Sequence, residues 1–296
     1  MPKAAAIIPA RFESTRFPGK PLAALKGKTV IQHVFERASD AKLIDIVIVA
    51  TDDKRIFNAV NSFGGKAVMT SASHACGTDR IAEAAGKIEC DFVINVQGDE
   101  PFIKPEMIDE VVELLYNDDN LPISTLAKRT TDINDIFSPN VVKVVMNSEG
   151  YAMYFSRAPL PFYRDEWQMQ NIEYRAQSTD NPPNPPLAKG GEGGFAFQLS
   201  TFNFQRPTFF CYKHIGIYGF RKDALMKFTS MRPGRLEQIE KLEQLRALEA
   251  GMRIKVKETR YETFGIDTVE DLRKAEELQN ENCKMQNKEL KNDGKE

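Results

Sequence analysis

The sequence predicts a layered α/β fold with a mainly parallel central sheet, helices on both faces and added hairpins. Three observations carry that reading. From residue 4 to about 116, short apolar runs alternate with amphipathic stretches, the rhythm of β-α-β units. The apolar runs, IVIVA and FVINV among them, lack polar alternation, as strands covered on both faces do. The chain has 296 residues and 42% hydrophobic content, enough to bury a full core.

In chain order, AAAIIPA reads as the first strand, VIQHVFERAS as a helix, IDIVIVA as a strand and DKRIFNAVNSF as a helix. TDRIAEAAG follows as a helix, DFVINVQ as a strand and PEMIDEVVELLY as a helix. The helix ends agree with local chemistry: Thr29 and Gln32 have capping-box spacing, Pro105 suits a first helical position, and Gly64 and Gly86 fall where C-caps belong. Between residues 121 and 160, PISTLA, VVKVVMN and YAMYFS read as strands. The NSEG turn between the last two suggests hairpins beside the parallel sheet and a surface for a second copy. FFCYKHIGIYGF reads as another strand, RLEQIEKLEQLRALEAG as one core-packing helix ended by Gly251, RIKVKET as a strand, and TVEDLRKAEELQ as a last helix capped by Thr268. The expected organisation is a single domain over 1–278. A Pro- and Gly-rich insertion at 178–207 and a charged tail at 279–296 are expected to be mobile.

Forty Lys and Arg against forty-two Asp and Glu give a formal charge of -2, so no bulk basic field points to nucleic acid or an anionic membrane. The first apolar run is interrupted by Pro9 and Arg11 and is too short for a leader or a spanning helix, which predicts a cytoplasmic protein. The four cysteines are far apart and form no CxxC pair, so neither a disulfide framework nor a zinc site is expected.

The first strand runs into IIPARFESTRFPGKPL at the carboxyl edge of the sheet, where open α/β folds bind ligands. Backbone N–H groups from Ala10 to Ser14 can cradle phosphate oxygens, and Arg11, Arg16 and Lys20 bring the charge that crowded phosphates need. The loop is neither GxGxxG nor GxxxxGK[ST], which excludes dinucleotide and P-loop readings. A second apolar strand delivers Gln97, Gly98 and Asp99 to the same edge. On chemistry alone Asp99 reads equally as a Mg2+ ligand and as a turn residue. Its neighbour Glu100 projects differently and is left out of the ligand set. Asp267 reads as a second carboxylate or as the start of the last helix. Arg80 and Arg157 are each open to a salt bridge. His214 and Tyr218, four apart on a strand, share one face, and packing is their ordinary use.

These motifs resemble the CMP-Kdo synthetase family, the 3-deoxy-manno-octulosonate (Kdo) cytidylyltransferases. Its opening pattern is close to IPARxxSTRxPGKPL. Hexose-1-phosphate nucleotidyltransferases use a Gly-Gly loop at this place, and CMP-sialic acid synthetases share IPAR but diverge after it. The resemblance implies transfer of CMP from CTP to Kdo for lipopolysaccharide synthesis, with Mg2+ as cofactor, by a homodimer. It implies that Arg11, Ser14 and Lys20 hold the triphosphate, that VQGDEP makes Asp99 a metal ligand and Gln97 a sugar contact, and that the GxDTxEDL segment makes Asp267 the second metal ligand. Through TDR it puts Arg80 on the nucleotide. Through SRAxxP it directs Arg157 at the sugar carboxylate, through HxGxYxxR it puts His214 and Tyr218 in the sugar site, and through LEQLR it makes Glu243 and Gln244 sugar hydroxyl ligands. The sequence departs from the family in one place: 56 residues separate Arg157 from His214, roughly thirty more than expected. The rival expectations are a nucleotidyltransferase for another sugar acid, such as sialic acid or an 8-amino analogue, and a non-catalytic nucleotide-binding homologue.

Overall fold

The computed structural model describes residues 2–13, 16–74, 76–164 and 209–277. The insertion at 178–207, the tail at 279–296 and Ser14 lie outside the described residues. The first strand, β1 (Ala4–Ala10), is followed by a small hairpin, β2 (Ala24–Leu25) and β3 (Lys28–Thr29). Then come α1 (Val30–Ser39), β4 (Ile46–Thr51), α2 (Lys54–Ser62), β5 (Ala67–Met69), α3 (Gly77–Gly86), β6 (Phe92–Asn95) and α4 (Pro105–Tyr116). The second half runs β7 (Ile123–Thr130), α5 (Ile133–Phe137), β8 (Lys143–Met146), β9 (Ala152–Ser156), β10 (Cys211–Arg221), α6 (Lys222–Ser230), α7 (Arg235–Glu240), α8 (Gln244–Glu249) and β11 (Ile254–Glu258). A last helix, α9, spans 269–277.

One sheet runs in the order β11-β7-β10-β6-β1-β4-β5, with β8 paired to β10 and β9 to β8. β5, β4, β1 and β6 are mutually parallel, and so are β7 and β11. Antiparallel β10 inserts between β6 and β7, and β8 and β9 extend it as a hairpin. Alternation along β1 explains the layering. Ala4, Ala6 and Ile8 pack on one side with Val34, Ile56 and Ile108, whereas Ala5 and Ile7 pack on the other with Ile81, Ala84 and Leu225. Each side chain set meets helices, so β1 is buried at every position but Pro9 and needs no polar face.

The expected helix boundaries are largely met. Thr29 accepts from the Gln32 N–H, Pro105 opens α4, Gly64 and Gly251 take positive φ just past their helices, and Thr268 accepts from the Asp271 N–H. The single helix expected over RLEQIEKLEQLRALEAG is corrected. It breaks after α7 because Lys241 adopts a left-handed backbone, φ 55°, and α8 restarts at Gln244. Leu242 and Leu245 are buried as expected, but Ile239 is 65% exposed, so the apolar stripe does not continue along one face. Helix α6 was not anticipated.

Candidate active site

The carboxyl ends of β1 and β6 meet at one point, and glycine permits the approach. A Cβ at Gly98 would lie 2.7 Å from the Pro9 carbonyl oxygen, well inside contact distance. The loop after β1 is closed on itself by the Gly19 N–H, which donates to the Phe12 carbonyl, and Arg55 stacks over the Phe12 ring. This closure delivers Lys20 to the end of β6. Its Nζ donates to Asp99 Oδ2 at 2.6 Å and to Asp267 Oδ1 at 3.1 Å, while Arg16 pairs with Asp267 Oδ2 at 3.2 Å. Arg11 donates to the His74 carbonyl and so ties the same loop to the segment before α3.

Asp267 is held from two sides. The Ile266 N–H donates to the Asp99 carbonyl at 2.8 Å, and the Asp267 N–H donates to Asp271 of the α9 cap. Sequence reasoning offered helix start and metal ligand as rivals; in the structure Thr268 caps α9, the Asp267 N–H is tied to the Asp271 side chain, and the Asp267 carboxylate faces Lys20. Glu100 turns toward the same segment, where its Oε2 accepts from Thr263 Oγ1 at 3.2 Å. Burial, with Asp99 beside it, pushes Glu100 up to about 7.

Two carboxylates converging on one ammonium form an acidic pair of the kind that holds a hard divalent cation with phosphate oxygens and water. Among the described residues no group of three or more His, Cys, Asp or Glu could hold a metal. Two carboxylates are the usual protein share of a Mg2+ site, whose remaining positions phosphate oxygens and water fill.

Behind this pair opens a pocket of about 120 Å³, lined on its polar side by Thr78, Asn95, Gln97, Tyr218, Glu243 and Gln244. Gln97, Tyr218, Glu243 and Gln244 are thus brought together as expected. Gln97 donates to Asn95 at 2.9 Å, and the Tyr218 hydroxyl is buried without a partner among the described residues. At the irregularity in β10 between Ile215 and Tyr218, a Cβ on Gly216 would meet Glu100 and Gln97 at ordinary contact distance.

A profile for the cytidylyltransferases matches residues 5–254. The chain belongs to that family. Among its relatives, a 3-deoxy-manno-octulosonate cytidylyltransferase of Pelobacter propionicus is 49% identical over 272 residues, covering 92% of this chain and 95% of the relative. One from Thermodesulfovibrio yellowstonii is 51% identical over 282 residues, covering 93% and 97%. A solved CMP:2-keto-3-deoxy-manno-octonic acid synthetase complexed with CTP superposes with TM-score 0.78 at 36% identity, covering 95% of this chain and 99% of that one.

Three expected site residues of this cytidylyltransferase stand back from the pocket wall. Arg80 is buried to 0% exposure. Its terminal nitrogens donate to Thr70 and Asp52, so in this structure it buttresses the segment before α3, with Nε unpartnered among the described residues. Arg157 donates to the carbonyls of Glu240 and Pro139, which holds it at the end of β9. His214 stacks behind Tyr218 with ring centroids 5.1 Å apart, and burial pushes it down to about 3, so the ring is neutral. Thr125 places its one hydroxyl hydrogen on the Ile217 carbonyl at 2.6 Å. Its contact with His214 Nε2 at 3.0 Å is therefore received from the ring, which fixes the tautomer. Thr78, Asn95 and Cys76 were missed in the cytidylyltransferase's sequence. Asn95 precedes VQGDEP, and Thr78 and Cys76 sit in HACGTDR, where nothing in the spacing announces that both bond to Glu243, more than 160 positions away.

Proposed function

We propose that the protein transfers CMP from CTP to 3-deoxy-manno-octulosonate, giving CMP-Kdo and pyrophosphate. The observation that carries this reading is the placement of Gln97 and Asp99 on one short loop. It joins a polar pocket suited to a sugar acid to an acidic pair beside a basic loop. The names of the relatives support the choice of sugar and nucleotide.

In this reading the loop from Ala10 to Lys20, Ser14 included, takes the triphosphate, with Arg11 and Lys20 neutralising the departing pyrophosphate. Asp99 and Asp267 would hold Mg2+, which when bound stabilises charge on the α-phosphate. Gln97, Tyr218, Glu243 and Gln244 bind the sugar, Arg157 serves its carboxylate from the end of β9, and His214 fixes the Tyr218 ring. Arg80 supports the nucleotide side of the site from beneath. The anomeric hydroxyl gives up its proton, its oxygen bonds to the α-phosphorus, and the bond from that phosphorus to the pyrophosphate oxygen breaks. Rate then comes from alignment rather than a covalent intermediate.

The protein is further read as a cytoplasmic homodimer that acts on small molecules, not on nucleic acid or membranes. Met153, 65% exposed on β9, and the side of that strand left unpaired among the described residues support the second copy. Among the described residues no helix is long and apolar enough to cross a membrane.

The test is pyrophosphate release from CTP and Mg2+ with Kdo, with sialic acid and without sugar, beside an Asp99→Ala variant. Release that requires Kdo and is lost in the variant supports the reading. Folded protein that releases nothing with any sugar acid refutes it.

A further inference from the structure

We propose that Cys76 and Thr78 are positioning residues that aim the Glu243 carboxylate into the pocket, where it selects a sugar hydroxyl. This rests on the reading of Glu243 as a sugar ligand and adds to it the device that makes the ligand effective. Glu243 lies two residues past the left-handed Lys241, at the start of α8, so the break between α7 and α8 turns its side chain back toward α3. There Oε1 accepts from the Cys76 thiol at 3.0 Å and Oε2 accepts from the Thr78 hydroxyl at 2.9 Å. Thr78 is 4% exposed, and it lines the same pocket as Glu243.

The surroundings make these two contacts necessary. Phe220, Phe228, Ala247 and Ile254 line the same cavity, and burial raises the Glu243 carboxyl while the two donors oppose that rise. The thiol remains a donor, because burial and then the nearby Glu243 charge push it up to about 12. Each carboxylate oxygen accepts one bond from the first turn of α3 and keeps a further lone pair facing the cavity. An ionised carboxylate accepts only, so what it recognises is an O–H donor on the sugar. Without Thr78 and Cys76 the same carboxylate would be free to swing or to take up a proton, and its preference for a hydroxyl donor would fade.

The experiment is steady-state kinetics for sugar and for CTP in Thr78→Val, Cys76→Ala, the double variant, and the donor-preserving Thr78→Ser and Cys76→Ser. Thr78→Val is expected to raise KM for the sugar about tenfold at unchanged KM for CTP, the loss of one charge-assisted hydrogen bond. Cys76→Ala, a weaker donor lost, is expected to raise it about threefold, and both serine variants to restore it. A wild-type sugar KM in the double variant overturns the proposal. So does a rise of both KM values in step with a fallen melting temperature, which marks a purely structural role. Cys76→Ala makes the test independently if Thr78→Val does not fold. Glu243→Gln separates the two levels: unchanged sugar KM there sinks Glu243 as a ligand. A raised KM in Glu243→Gln with none in the α3 variants sinks only the positioning.

Discussion

Lys20 Nζ lies 3.1 Å from Asp267 Oδ1 across 247 positions of sequence, and the same atom lies 2.6 Å from Asp99 Oδ2. One ammonium, 13% exposed, thus holds two carboxylates that would otherwise repel. Replacing it by Met should abolish pyrophosphate release by at least about a hundredfold. It should also leave a carboxylate pair that draws a divalent cation. In thermal unfolding without nucleotide, Mg2+ is expected to raise the melting temperature of Lys20→Met more than that of the wild type; an equal shift would place the cation elsewhere.

Gly98 is the point where the two ligand-bearing loops touch. Gly98→Ala puts a methyl group 2.7 Å from the Pro9 carbonyl oxygen. Backbone there cannot yield as a flexible side chain would, so a cost of about 1–3 kcal/mol is expected. The loss of activity should exceed what stability alone explains, because Gln97 and Asp99 flank the displaced residue. A variant with wild-type turnover at 25 °C would show that the loops move independently.

His214 links the sugar wall to acid stability. Its folded value near 3 lies below the ordinary 6.5, so between these the unfolded chain binds the extra proton. Stability from this group is complete above about 6.5 and is lost as pH falls toward 3, by at most about 1.4 kcal/mol per pH unit. Urea unfolding at pH 5 and pH 7 should therefore differ less in His214→Gln than in the wild type. An unchanged difference would mean that the ring protonates freely.

Lys143 is buried to 0% exposure, and its ammonium donates to the carbonyls of Ser138, Val141 and Arg157 at 2.7, 2.6 and 2.7 Å. Burial lowers its affinity for the proton, and the carbonyl cage retains it. Lys143→Met withdraws the donor from all three carbonyls, of which that of Ser138 still accepts from the Val141 N–H, and a loss on the order of 2 kcal/mol is expected in denaturant titration. The Arg157 backbone is one of the three, so KM for the sugar should rise as well. Unaltered stability would show that water replaces the ammonium.

What could be read in advance follows from how local each signal is. The β1 loop declares itself because small, turn-forming and basic residues crowd directly after a buried strand. The layering declares itself because β1 and β6 lack a polar face. Asp267 could not be separated from an ordinary helix start by its neighbours, since its carboxylate acts on Lys20 while its backbone acts on Asp271. The resemblance, not the spacing, chose it. The break at Lys241 was invisible because leucines continue at three-residue spacing on both sides. Cys76 and Thr78 were invisible because their meaning lies in Glu243, on a distant element.

The backbone bond from Ile266 to Asp99 has a consequence for how the enzyme comes into being. Every strand of the sheet is complete at Glu258, yet Asp267 lies beyond it and beyond the stretch matched by the family profile. A polypeptide clipped just after β11 lacks Asp267, the partner of Arg16 and Lys20, and also Ile266 and Ala275, against which Phe17, Leu25 and Val30 pack. Competence is therefore conferred last, when the segment that follows the finished scaffold docks onto the end of β6.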